Sequence, residues 1–254
     1  KIKKLKFLGD KSIIFEDRIR RIYPQKSLFS HILGQTDDSN IGISGIEKYF
    51  DNQLKTRGEP LQLTVDTDIQ FLIREELIRF QEIFKSIGST SILMNVNNGN
   101  ILSIVSLPDY DLNRREEIKD EIYINRATKG VYELGSVFKT FTVASGFNEG
   151  VIKPETEFIN LPKKIICAGR SIEEYDDKIP SDLTAEEILI RSGNIGSVRI
   201  GQKVGIEKLK LFLENIGVLN KIEFDIEEVG QPISFRWGKC KLATVSFGHG
   251  ITTT

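Results

Sequence analysis

The clearest pattern of apolar and polar positions lies between residues 67 and 84. Apolar side chains recur there at the spacing of an α-helix: Ile69, Leu72, Ile73, Leu77, Phe80 and Phe84. This period predicts a long helix with one apolar stripe, begun by Asp66 or Thr67 as its N-cap and ended by Gly88. Residues 61–65, just before it, alternate apolar and polar side chains, which predicts a half-buried strand.

Two short apolar runs, 91–96 and 101–105, follow the predicted helix and flank the dipeptide Asn98-Gly99. Asn-Gly between apolar runs is the strongest short-range signal of an antiparallel hairpin, because a type I′ turn requires positive φ at both central residues. We therefore expect a hairpin whose turn is formed by Asn98 and Gly99.

Further elements are expected on both sides of this hairpin, beginning with a strand-like run at 11–15. Ser44 with Glu47, and Thr184 with Glu187, have the spacing of a capping box, so a helix should begin at each. Residues 152–180 are irregular, with a hairpin expected around 165–169. Later helices are predicted over 197–204 and over an apolar stripe closed by Gly217: Leu209, Phe212, Leu213 and Ile216. The order of helix, hairpin and helical cluster predicts an α+β fold with an antiparallel sheet.

The candidate chemistry lies in residues 135–150. Gly135 and Gly150 bracket an apolar segment that predicts a helix of about four turns, with Ser136 in its first turn and Lys139 three residues later. That spacing puts hydroxyl and amine on one helical face. A serine becomes nucleophilic when a base takes its proton, and a lysine amine is such a base once burial or neighbouring cations lower its pKa. The alternative is a chance spacing, with an ordinary serine beside a solvated lysine.

Composition excludes several other functions. The 254 residues carry 35 Lys and Arg against 36 Asp and Glu, a balance that indicates no nucleic-acid partner. No apolar run reaches membrane-spanning length, and no signal peptide is visible. Cys167 and Cys240 lack metal-ligand spacing; we expect two buried thiols, with a disulfide as the alternative. His31 and His249 stand apart from any acidic or cysteine cluster, so we expect no metal and no cofactor.

The motif Ser136-x-x-Lys139 is followed downstream by Ser192-x-Asn194. With these two motifs the chain resembles the penicillin-binding protein and serine β-lactamase superfamily. Other segments, together with His31, Gly34 and Gln70, resemble class B penicillin-binding proteins over essentially the whole chain: 21–24, 42–48, 63–66, 98–99, 106–108, 132–136, 194–196 and 247–251. The resemblance implies the transpeptidase fold of that superfamily, an antiparallel sheet flanked by helices.

The resemblance also implies a serine acyl transfer. Ser136 would attack the carbonyl between the two D-alanines of a peptidoglycan stem peptide, and a neutral Lys139 would accept its proton. Ser192 would relay that proton to the leaving D-alanine, while Asn194 would bind the substrate amide and hydrogen-bond Lys139. The Ser136 N–H would stabilise the oxyanion. An amine of a second stem peptide would then take the acyl group, and a β-lactam would acylate Ser136 in the same way.

The resemblance divides the chain into two parts. Residues 1–60 resemble part of a non-catalytic pedestal, and residues 61–254 resemble the N-terminal part of a transpeptidase domain. In the pedestal we expect Arg21, Glu47 and Lys48 to be internal salt-bridge partners. Glu133, just before the nucleophile, is expected to be a surface charge. Elongation-type enzymes typically carry Asp where Asn194 stands, so the resemblance favours a division-specific, septal transpeptidase.

The third motif of the superfamily, Lys-Thr/Ser-Gly, is absent from the sequence, which begins with Lys rather than Met. We therefore expect an internal fragment with an incomplete sheet that is inactive on its own. The implied partners are stem peptides, β-lactams and division-complex membrane proteins, including a glycan-strand polymerase. The implied location is a bacterial inner membrane, with this region in the periplasm. The alternatives are an elongation-type transpeptidase, a β-lactamase or carboxypeptidase, a non-catalytic β-lactam-sensing module, and a scaffold without an active site.

Overall fold

The computed structural model describes residues 20–56, 58–114 and 120–254. These residues divide between two compact units, one within Lys1–Ile87 and Ile92–Tyr123 and the other formed by Gly88–Ser91 and Ile124–Thr254. No edge of either unit falls near residue 60, so the boundary expected there between pedestal and transpeptidase domain stays a prediction. The strand-like run at 11–15 lies outside the described residues.

The first part of the chain is mostly helical. Its described elements are, in chain order, α1 (Ser30–Leu33), α2 (Gly45–Tyr49), α3 (Asp51–Thr56), α4 (Thr67–Phe84), β1 (Ser89–Met94), β2 (Ile101–Leu107) and α5 (Asp120–Tyr123). The strand predicted over 61–65 is wrong, because that segment forms no ladder. It is held beside β2 by the Thr64 hydroxyl, which donates to the Ile101 carbonyl at 2.7 Å, and by the Asp66 N–H, which donates to the Leu102 carbonyl at 2.9 Å.

Helix α4 begins as predicted and ends earlier than predicted. The Asp66 carboxylate accepts hydrogen bonds from the N–H groups of Asp68 and Ile69, both at 3.0 Å, and so caps the helix. The helix stops at Phe84 rather than at Gly88, because Lys85 adopts a left-handed backbone with φ of 52°.

The predicted apolar stripe of α4 is only partly covered. Phe80 is 46% exposed and Phe84 is 71% exposed, whereas the one residue of α4 that is buried is Gln70. The Gln70 amide oxygen accepts from the Ser103 hydroxyl at 2.7 Å and from the Ile104 N–H at 3.0 Å, while its nitrogen donates to the Ile104 carbonyl at 2.9 Å. A polar side chain outside the predicted stripe therefore joins α4 to β2.

The predicted hairpin is confirmed and its predicted turn is wrong. Strands β1 and β2 pair, but the turn closes between Asn95 and Asn100, whose N–H and carbonyl lie 2.9 Å apart. Gly99 has a φ of 75°, and Asn98 is not among the described residues with positive φ. A type I′ turn needs positive φ at both residues. The connection is instead a longer loop in which only Gly99 has a left-handed backbone.

The second compact unit contains the remaining elements. They are a 3₁₀ turn (Gly135–Phe138), α6 (Lys139–Asn148), β3 (Glu157–Phe158), β4 (Lys164–Cys167), β5 (Arg170–Glu173), β6 (Leu183–Thr184), α7 (Ala185–Ile190), α8 (Asn194–Val204), α9 (Ile206–Asn215) and α10 (Lys239–Ser246). Strand β3 pairs with β6 and β4 with β5, both antiparallel. The predicted α+β class is confirmed.

Helix α8 is the centre of this second unit. It packs against α6, α7, α9 and α10, and its apolar side chains Ile195, Val198 and Ile200 are fully buried. The predicted helices at 197–204 and before Gly217, and the predicted hairpin near 165–169, are confirmed as α8, α9 and β4–β5. The helix α10 was not predicted. Among the described helices, none has the length and apolarity needed to cross a membrane.

A disulfide joins two elements of the second unit. Cys167 at the end of β4 and Cys240 in α10 are bonded, with their Cα atoms 5.4 Å apart and a separation of 73 positions in sequence. Both residues are half-buried, so the expectation of two buried thiols is wrong. The bond anchors the β4–β5 hairpin to the helical core.

The two predicted capping boxes have different outcomes. Thr184 accepts from the Glu187 N–H at 3.2 Å and its own N–H donates to the Glu187 carboxylate at 2.9 Å, so this box is confirmed. The box at Ser44 is wrong, although α2 begins there. The Ser44 hydroxyl accepts from the Gln35 N–H at 3.0 Å, and Glu47 lies 3.1 Å from the guanidinium of Arg21, the internal salt bridge expected from the sequence.

Candidate active site

Ser136 and Lys139 meet because the chain turns in a 3₁₀ helix at this point. Residues three apart are eclipsed in a 3₁₀ helix, so their side chains stack more directly than on an α-helix. The turn spans Gly135–Phe138 and leads straight into α6 at Lys139. The amine Nζ of Lys139 lies 3.1 Å from the hydroxyl Oγ of Ser136. The predicted pairing of hydroxyl and amine is present in the structure.

Two glycines allow the turn to form where it does. Gly135 has a φ of 57°, a left-handed backbone that glycine adopts without steric cost. Gly248 packs against it so closely that a Cβ on Gly248 would lie 1.8 Å from the Gly135 carbonyl oxygen. The segment Phe247-Gly248-His249-Gly250 therefore abuts the turn that carries the nucleophile candidate.

Lys139 is buried beneath an exposed serine. The Lys139 side chain is 0% exposed, whereas Ser136 lies at the surface. Burial lowers the pKa of Lys139 to about 8, while the negative charge of Glu174 raises that pKa and so partly opposes the effect of burial. The amine is thus far closer to neutrality near pH 7 than an exposed lysine, and neutrality is what a base requires.

Ser192 reaches the same amine from a tight helix ending. Helix α7 closes with the Gly193 N–H donating to the Ile188 carbonyl at 2.9 Å and the Ser192 N–H donating to the Leu189 carbonyl at 3.1 Å, which is the bond pattern of a Schellman motif. The left-handed position of that motif, usually glycine, is Ser192 itself, with a φ of 54°.

That conformation turns two oxygens of Ser192 toward Lys139. The Lys139 Nζ donates to the Ser192 carbonyl oxygen at 2.5 Å and lies 3.0 Å from the Ser192 hydroxyl. A non-glycine residue in a left-handed backbone costs roughly 1 kcal/mol and persists where the surroundings enforce it. Here the left-handed backbone of Ser192 occurs at the residue whose hydroxyl contacts the candidate base.

Asn194 lies beside this site with a partner that sequence reasoning did not foresee. It is the first residue of α8, and its side-chain nitrogen donates to the Glu173 carbonyl at 2.8 Å. The expected hydrogen bond between Asn194 and Lys139 is not formed among the described residues, because the Lys139 amine is engaged by Ser136 and Ser192 instead. Ser136 and Ser192 are therefore both in contact with the Lys139 amine, and Asn194 lies two residues after Ser192 in the chain.

Glu133 is more than the surface charge expected from the sequence. Its carboxylate accepts from the Gly250 N–H at 3.0 Å and lies 3.5 Å from the Nδ1 of His249. One turn before Ser136, it therefore holds the 247–250 segment beside the nucleophile. The sequence could not predict these contacts of Glu133, because Gly250 and His249 are more than a hundred residues away in the chain.

The described residues contain no group of three or more His, Cys, Asp and Glu side chains that could hold a metal ion. What they assemble is a surface hydroxyl, a buried amine with a lowered pKa, and a second hydroxyl on the same amine. This set is typical of acyl transfer through a covalent ester on serine.

Comparison with known proteins agrees with this chemistry. A family model described as the penicillin binding protein transpeptidase domain matches residues 89–254. The probable peptidoglycan D,D-transpeptidase FtsI of Caulobacter vibrioides is 33% identical over 250 residues, covering 96% of this chain and 42% of that protein. Stage V sporulation protein D of Bacillus subtilis is 28% identical, covering 100% of this chain and 44% of that protein. The chain thus spans less than half the length of these relatives.

Solved structures show the same fold. The penicillin binding protein 3 of Mycobacterium tuberculosis superposes with a TM-score of 0.81 at 20% identity, over 92% of this chain and 56% of that one. A peptidoglycan synthetase from Bifidobacterium adolescentis superposes with a TM-score of 0.81 at 21% identity, over 99% of this chain and 51% of that one. At such identities the likeness establishes the fold.

Proposed function

Because this chain belongs to the penicillin-binding protein transpeptidase domain family, we propose that it supplies the nucleophile and base of a peptidoglycan D,D-transpeptidase. The single observation that carries the proposal is the contact of the buried Lys139 amine with the hydroxyls of Ser136 and Ser192. The reaction is the transfer of an acyl group from one stem peptide to the amine of another, through an ester on Ser136.

The hydrogen bonds at Lys139 support a direction for the proton transfer. A carbonyl oxygen only accepts, so one N–H of the amine is committed to the Ser192 carbonyl. A neutral amine also carries one lone pair, and the Ser136 hydroxyl, 3.1 Å away, is a donor that can point at it. As Ser136 attacks the carbonyl carbon, its proton passes to Nζ of Lys139.

Ser192 then returns the proton. Its hydroxyl lies 3.0 Å from Nζ, and in the second half of the step it passes a proton to the nitrogen of the leaving D-alanine while it regains one from Lys139. The bond from the acyl carbon to that nitrogen breaks, and the acyl group remains on Ser136. The amine of a second stem peptide reverses these transfers and forms the cross-link.

Two further groups are assigned to substrate binding. The Ser136 N–H donates to no acceptor among the described residues, so it is free to stabilise the oxyanion. Asn194, at the start of α8, is assigned to the amide of the stem peptide. Its oxygen takes that role, since its nitrogen is engaged by the Glu173 carbonyl.

The proposed cellular setting is that of a division-specific enzyme. Relatives named FtsI come from Caulobacter vibrioides and Escherichia coli, and the Ser192-Gly193-Asn194 motif agrees with a septal rather than an elongation role. The protein is then held at a bacterial inner membrane with this region in the periplasm, beside division-complex proteins that include a glycan-strand polymerase. Residues 1–254 alone are not expected to form cross-links, since they lack a Lys-Thr/Ser-Gly motif.

Labelling by a fluorescent penicillin tests the proposal. The protein that contains these residues is expected to form a covalent adduct, which Ser136→Ala abolishes and which peptide mapping finds on Ser136. Ser171→Ala is the matched control, because Ser171 is an exposed serine of the same unit whose hydroxyl donates to Glu173 at 2.7 Å. An adduct that persists in Ser136→Ala shows that another residue is the nucleophile.

A further inference from the structure

The residue that follows strand β5 binds the start of helix α8. The Glu174 carboxylate accepts two backbone hydrogen bonds, from the Asn194 N–H at 2.6 Å and from the Ile195 N–H at 2.9 Å. The first N–H groups of a helix have no partner within it, and the helix dipole favours a negative charge there. Glu174 therefore caps α8 from a distant part of the chain, in place of a local N-cap side chain.

Glu173, the residue before Glu174, also holds the side chain of Asn194. The Glu173 carbonyl accepts from the Asn194 side-chain nitrogen at 2.8 Å, so Asn194 is fixed through both its backbone and its amide. Gly193 lies against the clamp, since a Cβ placed there would be 3.7 Å from a Glu174 carboxylate oxygen. Behind it, the Cys167–Cys240 disulfide anchors the hairpin that carries Glu174.

We infer that Glu174 is a positioning residue for the acyl transfer, whose carboxylate clamps the Ser192–Asn194 turn in contact with Lys139. This inference rests on the proposed function and adds to it a residue that neither motif contains. The carboxylate fixes the first turn of α8, and the first turn fixes the peptide planes on either side of Gly193. Ser192, directly before that glycine, thereby keeps its carbonyl and hydroxyl on the amine.

Glu174 also acts on the amine through its charge. Its negative charge raises the pKa of Lys139 against the lowering caused by burial. Among the described residues, the charged side chains of the helices packed against α6 contribute no such shift: Glu186, Glu187, Arg199, Lys203, Glu207, Lys208, Lys210 and Glu214. If Glu174 only shaped the turn, its removal would leave the pKa of Lys139 unchanged. Because its charge also acts on the amine, its removal should lower that pKa.

The neighbouring residue provides a matched control. Glu173 is exposed, and its carboxylate accepts from the Ser171 hydroxyl at 2.7 Å rather than from α8. Glu173→Gln and Glu174→Gln remove the same charge from adjacent positions, but only Glu174→Gln removes a carboxylate oxygen from the helix start. Glu174→Asp keeps the charge and shortens the side chain by one methylene.

The experiment measures the rate constant of acylation by a fluorescent penicillin against pH, for the wild-type protein and the three variants. Glu174→Gln is expected to lower the plateau rate about tenfold and to move the alkaline rise to lower pH, because the pKa of Lys139 falls without the negative charge. Glu174→Asp is expected to keep the wild-type position of the rise with a lower plateau. Glu173→Gln is expected to match the wild type in both.

Each other result has a definite meaning. Profiles of Glu174→Gln and Glu173→Gln that coincide overturn the positioning role, while acylation of the wild type preserves the proposed function. A wild-type protein that forms no adduct overturns the proposed function and this inference together. If Glu174→Gln does not fold, as judged by its thermal unfolding, Glu174→Asp decides the question: a plateau equal to that of the wild type overturns the inference.

Discussion

The two turns that meet at Lys139 are held in place by different means. The hydroxyl and the amine of the Ser136 turn are brought together by its own sequence, since Gly135 permits the bend and three-residue spacing stacks Ser136 on Lys139. The distant Gly248 contributes only the room that the turn needs. The turn of Ser192 depends on partners elsewhere in the chain: the end of α7 and Glu174. The geometry of the first turn is therefore fixed by residue spacing, whereas the geometry of the second turn depends on several long-range contacts.

This difference predicts how each turn responds to substitution. A change within the first turn removes a reacting group and has a large effect on rate. A change around the second turn shifts a geometry that several hydrogen bonds share, so its effect is smaller and divides between rate and stability.

Replacement of the buried amine should have the largest effect. Lys139→Met keeps the length and burial of the side chain but removes the base, and loss of a general base typically lowers a rate by about 10²–10⁴-fold. The rate constant of penicillin acylation measures the change. Lys203→Met is the control, because Lys203 is an exposed lysine that lies over the Phe158 ring. An acylation rate in Lys139→Met equal to that of this control would exclude Lys139 as the base.

The pH dependence of acylation should be the next largest effect. The reactive form of Lys139 is neutral and its pKa is about 8, so the rate should rise by about tenfold per pH unit below that value and level off above it. The profile of wild-type acylation between pH 6 and pH 10 measures this, on the order of a hundredfold in all. A rate that falls as pH rises through 8 would mean that the protonated amine is the active form.

Substitution of Ser192 separates chemistry from strain. Ser192→Ala and Ser192→Gly both remove the hydroxyl that lies 3.0 Å from Nζ, while the carbonyl bond to Lys139 remains. Lys139 becomes charged as it takes the proton of Ser136, and loss of a hydrogen bond to a charged group costs about 1.5–3 kcal/mol, so both variants should acylate roughly tenfold or more slowly.

The same pair should differ in stability. Glycine adopts the left-handed backbone of residue 192 freely, whereas alanine does not, so Ser192→Gly should be more stable than Ser192→Ala by about 1 kcal/mol. Chemical denaturation measures the difference. Equal free energies of unfolding would show that the Schellman turn relaxes when the serine is removed.

The capping box of α7 should give the smallest effect. Thr184→Ala removes the hydroxyl that accepts from the Glu187 N–H, which should cost about 1 kcal/mol of stability and change acylation little, because Ser192 lies at the opposite end of α7. Thr56→Ala is the control, since that hydroxyl donates only within its own helix, to the Asn52 carbonyl. A loss of acylation in Thr184→Ala as large as in Ser192→Ala would show that the second turn has no local support of its own.

What the sequence could predict was set by local geometry. The Ser136–Lys139 contact, the Asp66 cap and the Thr184 box need only residues a few positions apart, and the structure contains all three. Long-range partners decided the rest. The Ser44 box failed because Gln35 takes the hydroxyl and Arg21 takes Glu47.

The candidate site divides in the same way. Motif spacing named Ser192, but its backbone conformation depends on how α7 ends, and that ending carries no glycine at the left-handed position. Asn194 was predicted to be a partner of Lys139, but the amine is engaged by Ser136 and Ser192, and the Asn194 nitrogen donates to the Glu173 carbonyl. No sequence motif pointed to Glu174, because its carboxylate binds the N–H of Asn194, about twenty residues further along the chain. Two carboxylates in sequence, Glu173 and Glu174, are distinguished only by which of them faces the helix.

The burial of Lys139 beneath Ser136 has a consequence for reagents that react with both alcohols and amines. With 0% of the lysine exposed, an electrophile arriving from solvent meets the oxygen first, and access rather than intrinsic reactivity selects the target. An uncharged lysine at the surface would be consumed by aldehydes and acetylating agents. The fold thus shelters its most vulnerable nitrogen while leaving the serine open to attack.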